Sequence, residues 1–162
     1  MPADALDLRP IAAEDEAFLF RVYAETRTEE LAAVAWSAET KQAFLRMQFA
    51  AQHRHYQESY PDAAFSVVLW NGVAVGRLYV HRRTDEIRLI DIALLPEHRG
   101  AGIGTRVLRS LMSEAEAAGK TVRLHVERFN PGLRWYERLG FVLAEDRGVY
   151  LLLEWRPGTL LA

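Results

Sequence analysis

Hydrophobic positions along the chain alternate between strand spacing and helical spacing, and each change marks an element. Leu6-Asp7-Leu8-Arg9-Pro10 alternates briefly. The run from Ala13 to Arg27 then places Phe18, Leu19, Val22 and Tyr23 on one helical face. A less regular stretch, Thr28 to Trp36, leads to Ser37, which the pattern predicts as an N-cap with Glu39 and Thr40 behind it. The helix it opens runs to about Tyr60-Pro61, where proline stops it. This second helix has two apolar rows: Phe44, Met47 and Ala51, and Leu45, Phe49, Gln52 and Tyr56. One row must face the sheet. The other either widens the buried face or walls a ligand pocket or subunit interface.

From Ala64 the period becomes that of strands. Phe65 to Trp70 and Val73 to His81 flank Asn71-Gly72, a dipeptide suited to a two-residue hairpin. Arg82 to Asp85 form a polar turn, and Ile87 to Leu95 read as a strand covered on both faces. Ile103, Val107, Leu108, Leu111, Met112, Ala115 and Ala118 return to helical spacing, with Gly119 as the stop. Thr121 to Glu127 is the next strand. Asn130 and Pro131 predict the N-cap and first turn of a short helix ending at Gly140. Phe141 to Leu143 and Val149 to Trp155 close the sheet. The order predicts an α/β (α+β) fold with a mixed, twisted sheet of about seven strands and about four helices.

Composition narrows the function classes. At 162 residues the chain is expected to be a single domain over 1–162, with its core at about 6–155. Half the residues are hydrophobic and 26% are charged, which is ordinary for a globular protein. The formal charge of -2 gives no overall field for nucleic acid or an anionic membrane, so neither is an expected partner. There is no cysteine, which excludes disulfides, thiolate metal sites and cysteine nucleophiles. His53 and His55 are two apart on a helix and cannot share a face, and His81, His98 and His125 are scattered, so no metal is expected. The N-terminal residues lack signal-peptide character, and no run approaches the about 20 apolar residues of a membrane span. A cytoplasmic protein is the expectation.

Candidate chemistry concentrates at Arg99-Gly100-Ala101-Gly102-Ile103-Gly104-Thr105, between a buried strand and an amphipathic helix. Alternating glycines remove the Cβ atoms that would hold a ligand away from the backbone. The open N–H groups of the first helical turn and the helix dipole then favour an anion such as phosphate or pyrophosphate. The dinucleotide pattern G-x-G-x-x-G is absent, and so is the lysine of a nucleotide-triphosphate loop.

This segment resembles the hallmark [Gln/Arg]-x-x-G-x-[Gly/Ala] of the GCN5-related N-acetyltransferase (GNAT) superfamily, and Leu94-Leu95-Pro96-Glu97-His98 ahead of it is similar to the family's approach to the turn. Asn130, Gly132, Tyr136 and Gly140-Phe141 resemble its second hallmark. The resemblance runs from about Leu6 to Trp155. It implies splayed central strands and acetyl-CoA as cosubstrate, with the backbone of Ile92, Ala93 and Leu94 pairing with the pantetheine arm. It also implies that the amides of Gly100, Ala101, Gly102, Ile103, Gly104 and Thr105 hold the pyrophosphate, with Arg99 and Asn130 in the coenzyme site. Tyr136 takes the place of the family's proton donor to the CoA sulfur, and a homodimer is a further implication. Two positions depart from the pattern: Gly132 replaces a usual alanine, and Arg88 stands where some relatives carry a catalytic glutamate.

The general base stays open. Asp91 interrupts Leu89-Ile90-Asp91-Ile92-Ala93, where a buried carboxylate needs a partner or a raised pKa, and it is the first candidate. Structural pairing with backbone or an arginine, a water chain, and Glu29 or Glu30 are the alternatives. Glu25, Glu29 and Glu30 form either a solvated helix face or a source of negative charge for the acceptor amine, and Trp36, Phe49 and Tyr56 offer apolar walls. Three functions fit: acetyl transfer from acetyl-CoA to a primary amine of a small molecule or peptide, a non-catalytic acyl-CoA sensor, or an acyltransferase acting on a protein N-terminus or lysine.

Overall fold

A computed structural model describes residues 4–158. The elements are β1 (Leu6–Pro10), α1 (Glu16–Thr26), α2 (Thr28–Ala32), α3 (Ala38–Ser59), β2 (Ala64–Trp70), β3 (Val73–Arg82), β4 (Glu86–Leu94), α4 (Ile103–Ala118), β5 (Thr121–Glu127), α5 (Leu133–Arg138), β6 (Val142–Arg147) and β7 (Tyr150–Trp155). The sheet order is β1-β2-β3-β4-β5-β7-β6. β4 runs parallel to β5, from Glu86 opposite Thr121 to Leu89 opposite Leu124. The pairs β1–β2, β5–β7 and β6–β7 are antiparallel.

The fold is the expected α/β mixed sheet of seven strands, with five α-helices instead of four. The addition is α2, whose five residues are too few to show a helical period. β6 also runs on to Arg147, past Leu143; exposed Glu145, Asp146 and Arg147 carry no apolar alternation that would signal it in the sequence. The predicted Asn130–Pro131 helix start shifts as well. α5 begins at Leu133 with Gly132 as its N-cap, and Asn130 Oδ1 accepts from the Gly132 N–H at 2.7 Å, closing a turn ahead of the helix.

The chain forms two compact units, residues 4–79 with 91–104 and residues 80–90 with 105–158. The divisions fall within β3, β4 and α4, with no linker between them.

In the first unit, Asn71 and Gly72 both adopt positive φ (52° and 81°), as the β2–β3 hairpin requires. Asn71 Oδ1 also accepts from the Ala5 N–H, tying down the start of β1. Leu19, Phe20 and Tyr23 of α1 pack with Leu31, Leu45 and Phe49, and the Phe20 and Phe49 rings meet edge-on at 5.7 Å. Asp15 takes both guanidinium nitrogens of Arg9 and the Ala12 N–H, which links β1 to the start of α1 and holds the carboxyl below its usual range. Ser37 caps α3 as expected, accepting from the Thr40 N–H. Of the two rows of α3, Leu45 and Phe49 are buried and Gln52 and Tyr56 half-buried, whereas Met47 is 60% exposed and Ala51 is exposed.

In the second unit, the buried residues include Val107, Leu108, Leu111, Met112 and Ala115 of α4, Val122, Leu124 and Val126 of β5, and Leu151 to Trp155 of β7. Alternation sends Arg123, His125 and Glu127 to the other face of β5. α4 ends where Gly119 turns to φ 68°.

Candidate functional site

The first unit carries the glycine turn and the strand that leads to it. β4 ends at Leu94, and Pro96–His98 form a single 3-10 turn. Arg99 then folds back, its Nε donating to the Leu94 carbonyl at 3.0 Å. Gly100 (φ 78°) and Gly102 (φ 82°) occupy the left-handed region, and among the described residues no atom beyond the adjoining ones lies within 4 Å of where a Cβ would stand on either. The turn is thus an open backbone cradle at the N-terminus of the 16-residue α4. Alternating positive φ over successive amides is the geometry that gathers N–H groups around an anion.

Ile92, Ala93 and Leu94 are not equivalent along β4. The Leu95 N–H donates to the Val75 carbonyl, and the Ala93 carbonyl is aimed at Gly76, so both face β3. Strand alternation then directs the backbone groups of Ile92 and Leu94 to the opposite edge. An extended ligand could pair with the backbone of Ile92 and with the Leu94 N–H, the Leu94 carbonyl already accepting from Arg99.

Gly76 belongs to no sequence motif, although a glycine inside a strand signals a close backbone approach. A Cβ there would stand 2.2 Å from the Ala93 carbonyl oxygen and 2.7 Å from Leu94 Cδ2. β4 must therefore move to admit any side chain. Gly76→Ala is expected to cost about 2 kcal/mol or more, read in thermal unfolding as a Tm lowered by roughly 4–8 °C, with weaker coenzyme binding than wild type.

Asp91 has a partner. Its Oδ2 accepts from Arg77 Nη2 at 2.6 Å and from the Tyr56 hydroxyl at 3.4 Å, and Arg77 Nη2 also donates to Gln52 at 3.0 Å. The Arg77 side chain is only 3% exposed and that of Asp91 16%. The guanidinium lies 5.0 Å from the Tyr79 ring centroid. Burial first, and then the Asp91 charge, push the Tyr56 phenol well above its usual range, so it stays protonated. Among the described residues, Arg77 Nε and the Tyr79 hydroxyl are buried with no hydrogen-bond partner. Sequence reasoning missed Arg77 as well, though a lone arginine within the apolar run Val75–Val80 was the available signal.

The residues offered for the acceptor separate. Phe49 belongs to the helical core against Phe20 and Tyr23, not to a pocket wall. Trp36 is 46% exposed and meets Phe44 edge-on. Glu29 is exposed on α2, and its neighbour Glu30 is paired with Arg27 at 2.8 Å.

The second unit carries Thr105, Asn130 and Tyr136. Trp135 Nε1 donates to Thr105 Oγ1 at 2.9 Å, tying α5 to the first turn of α4 and leaving the threonine proton to point elsewhere. The half-buried Tyr136 ring lies 4.9 Å from that of Trp135 and 5.8 Å from that of Phe141. A Cβ on Gly132 would come 3.1 Å from Asn130 Oδ1, so the glycine relieves crowding where an alanine is usual. Among the described residues no three His, Asp or Glu are placed to hold a metal ion, and no helix is long and apolar enough to cross a membrane.

The model of the Acetyltransferase (GNAT) family matches residues 19–141 of the chain. The chain belongs to that family. No curated protein matches it. Among solved structures, the PaiA N-acetyltransferase of Thermoplasma acidophilum, in complex with coenzyme A, is 21% identical, with 94% of this chain matched to 99% of that one at a TM-score of 0.70. An acetyltransferase of Thermus thermophilus is also 21% identical, over 94% and 96% of the two chains, at a TM-score of 0.64. A GNAT family acetyltransferase of Elizabethkingia anophelis with acetyl-CoA bound is 14% identical over 93% and 97%, at 0.58. At these identities the likeness is one of fold.

Proposed function

We propose that the chain transfers the acetyl group of acetyl-CoA directly to a primary amine of a small molecule or peptide. The observation that carries this reading is the backbone cradle from Gly100 to Gly104, open at both positive-φ glycines and set at a helix N-terminus. It suits a pyrophosphate, and two of the structural neighbours hold coenzyme A or acetyl-CoA. Thr105 is suited to donate to the same phosphate, since its oxygen accepts from Trp135. The outward backbone of Ile92 and the Leu94 N–H would pair with the pantetheine arm, and Asn130 would shape the turn ahead of Tyr136.

In the reaction the neutral amine nitrogen attacks the thioester carbonyl carbon, the C–S bond breaks, and the amide forms. The sulfur leaves as a thiolate that takes a proton from the Tyr136 hydroxyl, while the amine loses one to a base. An aliphatic amine with a pKa near about 10.4 is mostly protonated at neutral pH, so deprotonation is part of the work. Asp91 is the candidate acceptor of that proton, by its Oδ1, since Arg77 and Tyr56 both hold Oδ2.

Thermal shift with CoA, acetyl-CoA and ATP tests the ligand. Gly102→Val places a β-branched side chain at positive φ inside the cradle, at a strain of about 1–3 kcal/mol. CoA affinity is expected to fall by more than tenfold. Equal stabilisation of Gly102→Val and wild type by CoA would reject the cradle. Thiol release across amines and peptides identifies the acceptor, and absence of turnover with all of them would assign the chain to acyl-CoA sensing. Light scattering on a size-exclusion column tests the homodimer.

A further inference from the structure

His125 of β5 lies between two arginines that its ring cannot satisfy together. Its Nδ1 is 3.3 Å from Arg88 Nη1 on β4, and its Nε2 is 2.9 Å from Arg147 Nη1 on β6. A guanidinium only donates, and a neutral imidazole has one lone pair and one N–H. One contact is therefore a hydrogen bond, and the other sets N–H against N–H. Protonating the ring makes both contacts donor against donor.

The carboxylates around this cluster are already committed. Glu86 of β4, with a side chain 8% exposed, faces Arg83 at 3.0 Å, Arg88 at 3.4 Å and Arg123 at 3.6 Å. Glu154 of β7 pairs with Arg123 and Arg156, and Glu145 of β6 takes Arg147 Nη2 at 3.0 Å. Leu152, opposite His125 on β7, adds no charge. Among the described residues, Arg83, Arg88, Arg123, Arg147 and Arg156 each pair with Glu86, Glu145 or Glu154, and Arg88 and Arg147 also face His125. Partial desolvation first, and then Arg88 and Arg147, lower the pKa of the solvent-exposed His125 ring against the opposing pull of Glu145 and Glu86. The neutral form of the ring is thereby favoured over the charged one.

We infer that Arg88, His125 and Arg147 form an oxyanion-binding site for a carboxylate or phosphate group. An oxygen placed beside the ring accepts from the imidazole N–H and from the arginine it opposes, turning a repulsive contact into two charge-assisted hydrogen bonds. The two sources of such a group are a free anion and an anionic group carried by the acceptor amine. The second source rests on the acetyl-transfer reading above; the site itself does not.

The test is a titration of the His125 ring, followed by 15N NMR in protein saturated with CoA so that the coenzyme's own phosphates are already bound. Inorganic phosphate is added against sodium chloride of equal ionic strength. An anion beside the ring favours its charged form, so the His125 pKa is expected to rise saturably by about 1 pH unit, equivalent to tenfold tighter binding to the protonated ring. Arg147→Gln, at a side chain 47% exposed and so safe for folding, should abolish the rise. No rise in wild type, or the same rise in Arg147→Gln, overturns the site.

The second arm compares an amino acid with its amide as acceptor. A tenfold loss of kcat/KM in Arg147→Gln for the carboxylate alone assigns the group to the acceptor. A phosphate-dependent rise without that discrimination assigns the site to a free oxyanion. If no amine is acetylated, the NMR result still decides the site, and only the acetyl-transfer reading fails.

Discussion

Tyr136→Phe is expected to lower kcat by about 10²-fold or more while leaving the Kd for CoA within roughly twofold. The substitution deletes only the hydroxyl. The ring contacts with Trp135 and Phe141 remain, and so do the bonds from the Tyr136 carbonyl to the N–H groups of Leu139 and Phe141 that shape the end of α5. A fall in kcat with an unchanged Tm would separate a lost proton donor from a disturbed helix. The check is steady-state thiol release beside thermal unfolding with and without CoA. An unchanged kcat would mean that the thiolate takes its proton from water, and the catalytic role of Tyr136 would be withdrawn.

The second large effect is expected at the Arg77–Asp91 pair, and it is one of stability. Arg77→Met leaves the Asp91 carboxylate without its guanidinium, and Asp91→Asn leaves a nearly inaccessible guanidinium without its counter-charge. Removing one partner of a buried pair costs about 3–5 kcal/mol. The double variant Arg77→Met, Asp91→Leu removes both charges and is expected to recover much of that loss, as measured by urea denaturation. This governs how Asp91 is tested as a base. Loss of activity in Asp91→Asn alone reports instability and chemistry together. The double variant, folded and lacking the carboxylate, separates them. Full activity there would remove Asp91 from the mechanism, and a lost acidic limb in the pH–rate profile would keep it.

Much of this architecture could be read from residue order. The Asn71-Gly72 hairpin, the Ser37 cap and the α4 stripe each depend on neighbours within one or two turns, and all three stand in the structure. The glycine cradle was legible for the same reason, since its requirement for positive φ is local. What could not be read was pairing between strands. Asp91 asks for a partner, but only the β3–β4 arrangement shows that Arg77 supplies it and that Ala93 presses on Gly76. Phe49 illustrates the reverse error. Its helical spacing fits a pocket wall and a core equally well, and the α1 side chains that bury it lie in another segment. His125 is one scattered histidine among several in the linear chain, and only the folded β4 and β6 set arginines on both of its nitrogens.

The clasp between Arg99 and the Leu94 carbonyl bears on how the coenzyme arrives. A glycine-rich loop left to itself samples many shapes, and a ligand that orders it surrenders affinity in doing so. Here the side chain of Arg99 holds the loop against the strand end. A coenzyme docking on this loop would then meet a prepared surface and require little reorganisation. Arg99→Ala would slow the bimolecular on-rate before it changed any reactive group.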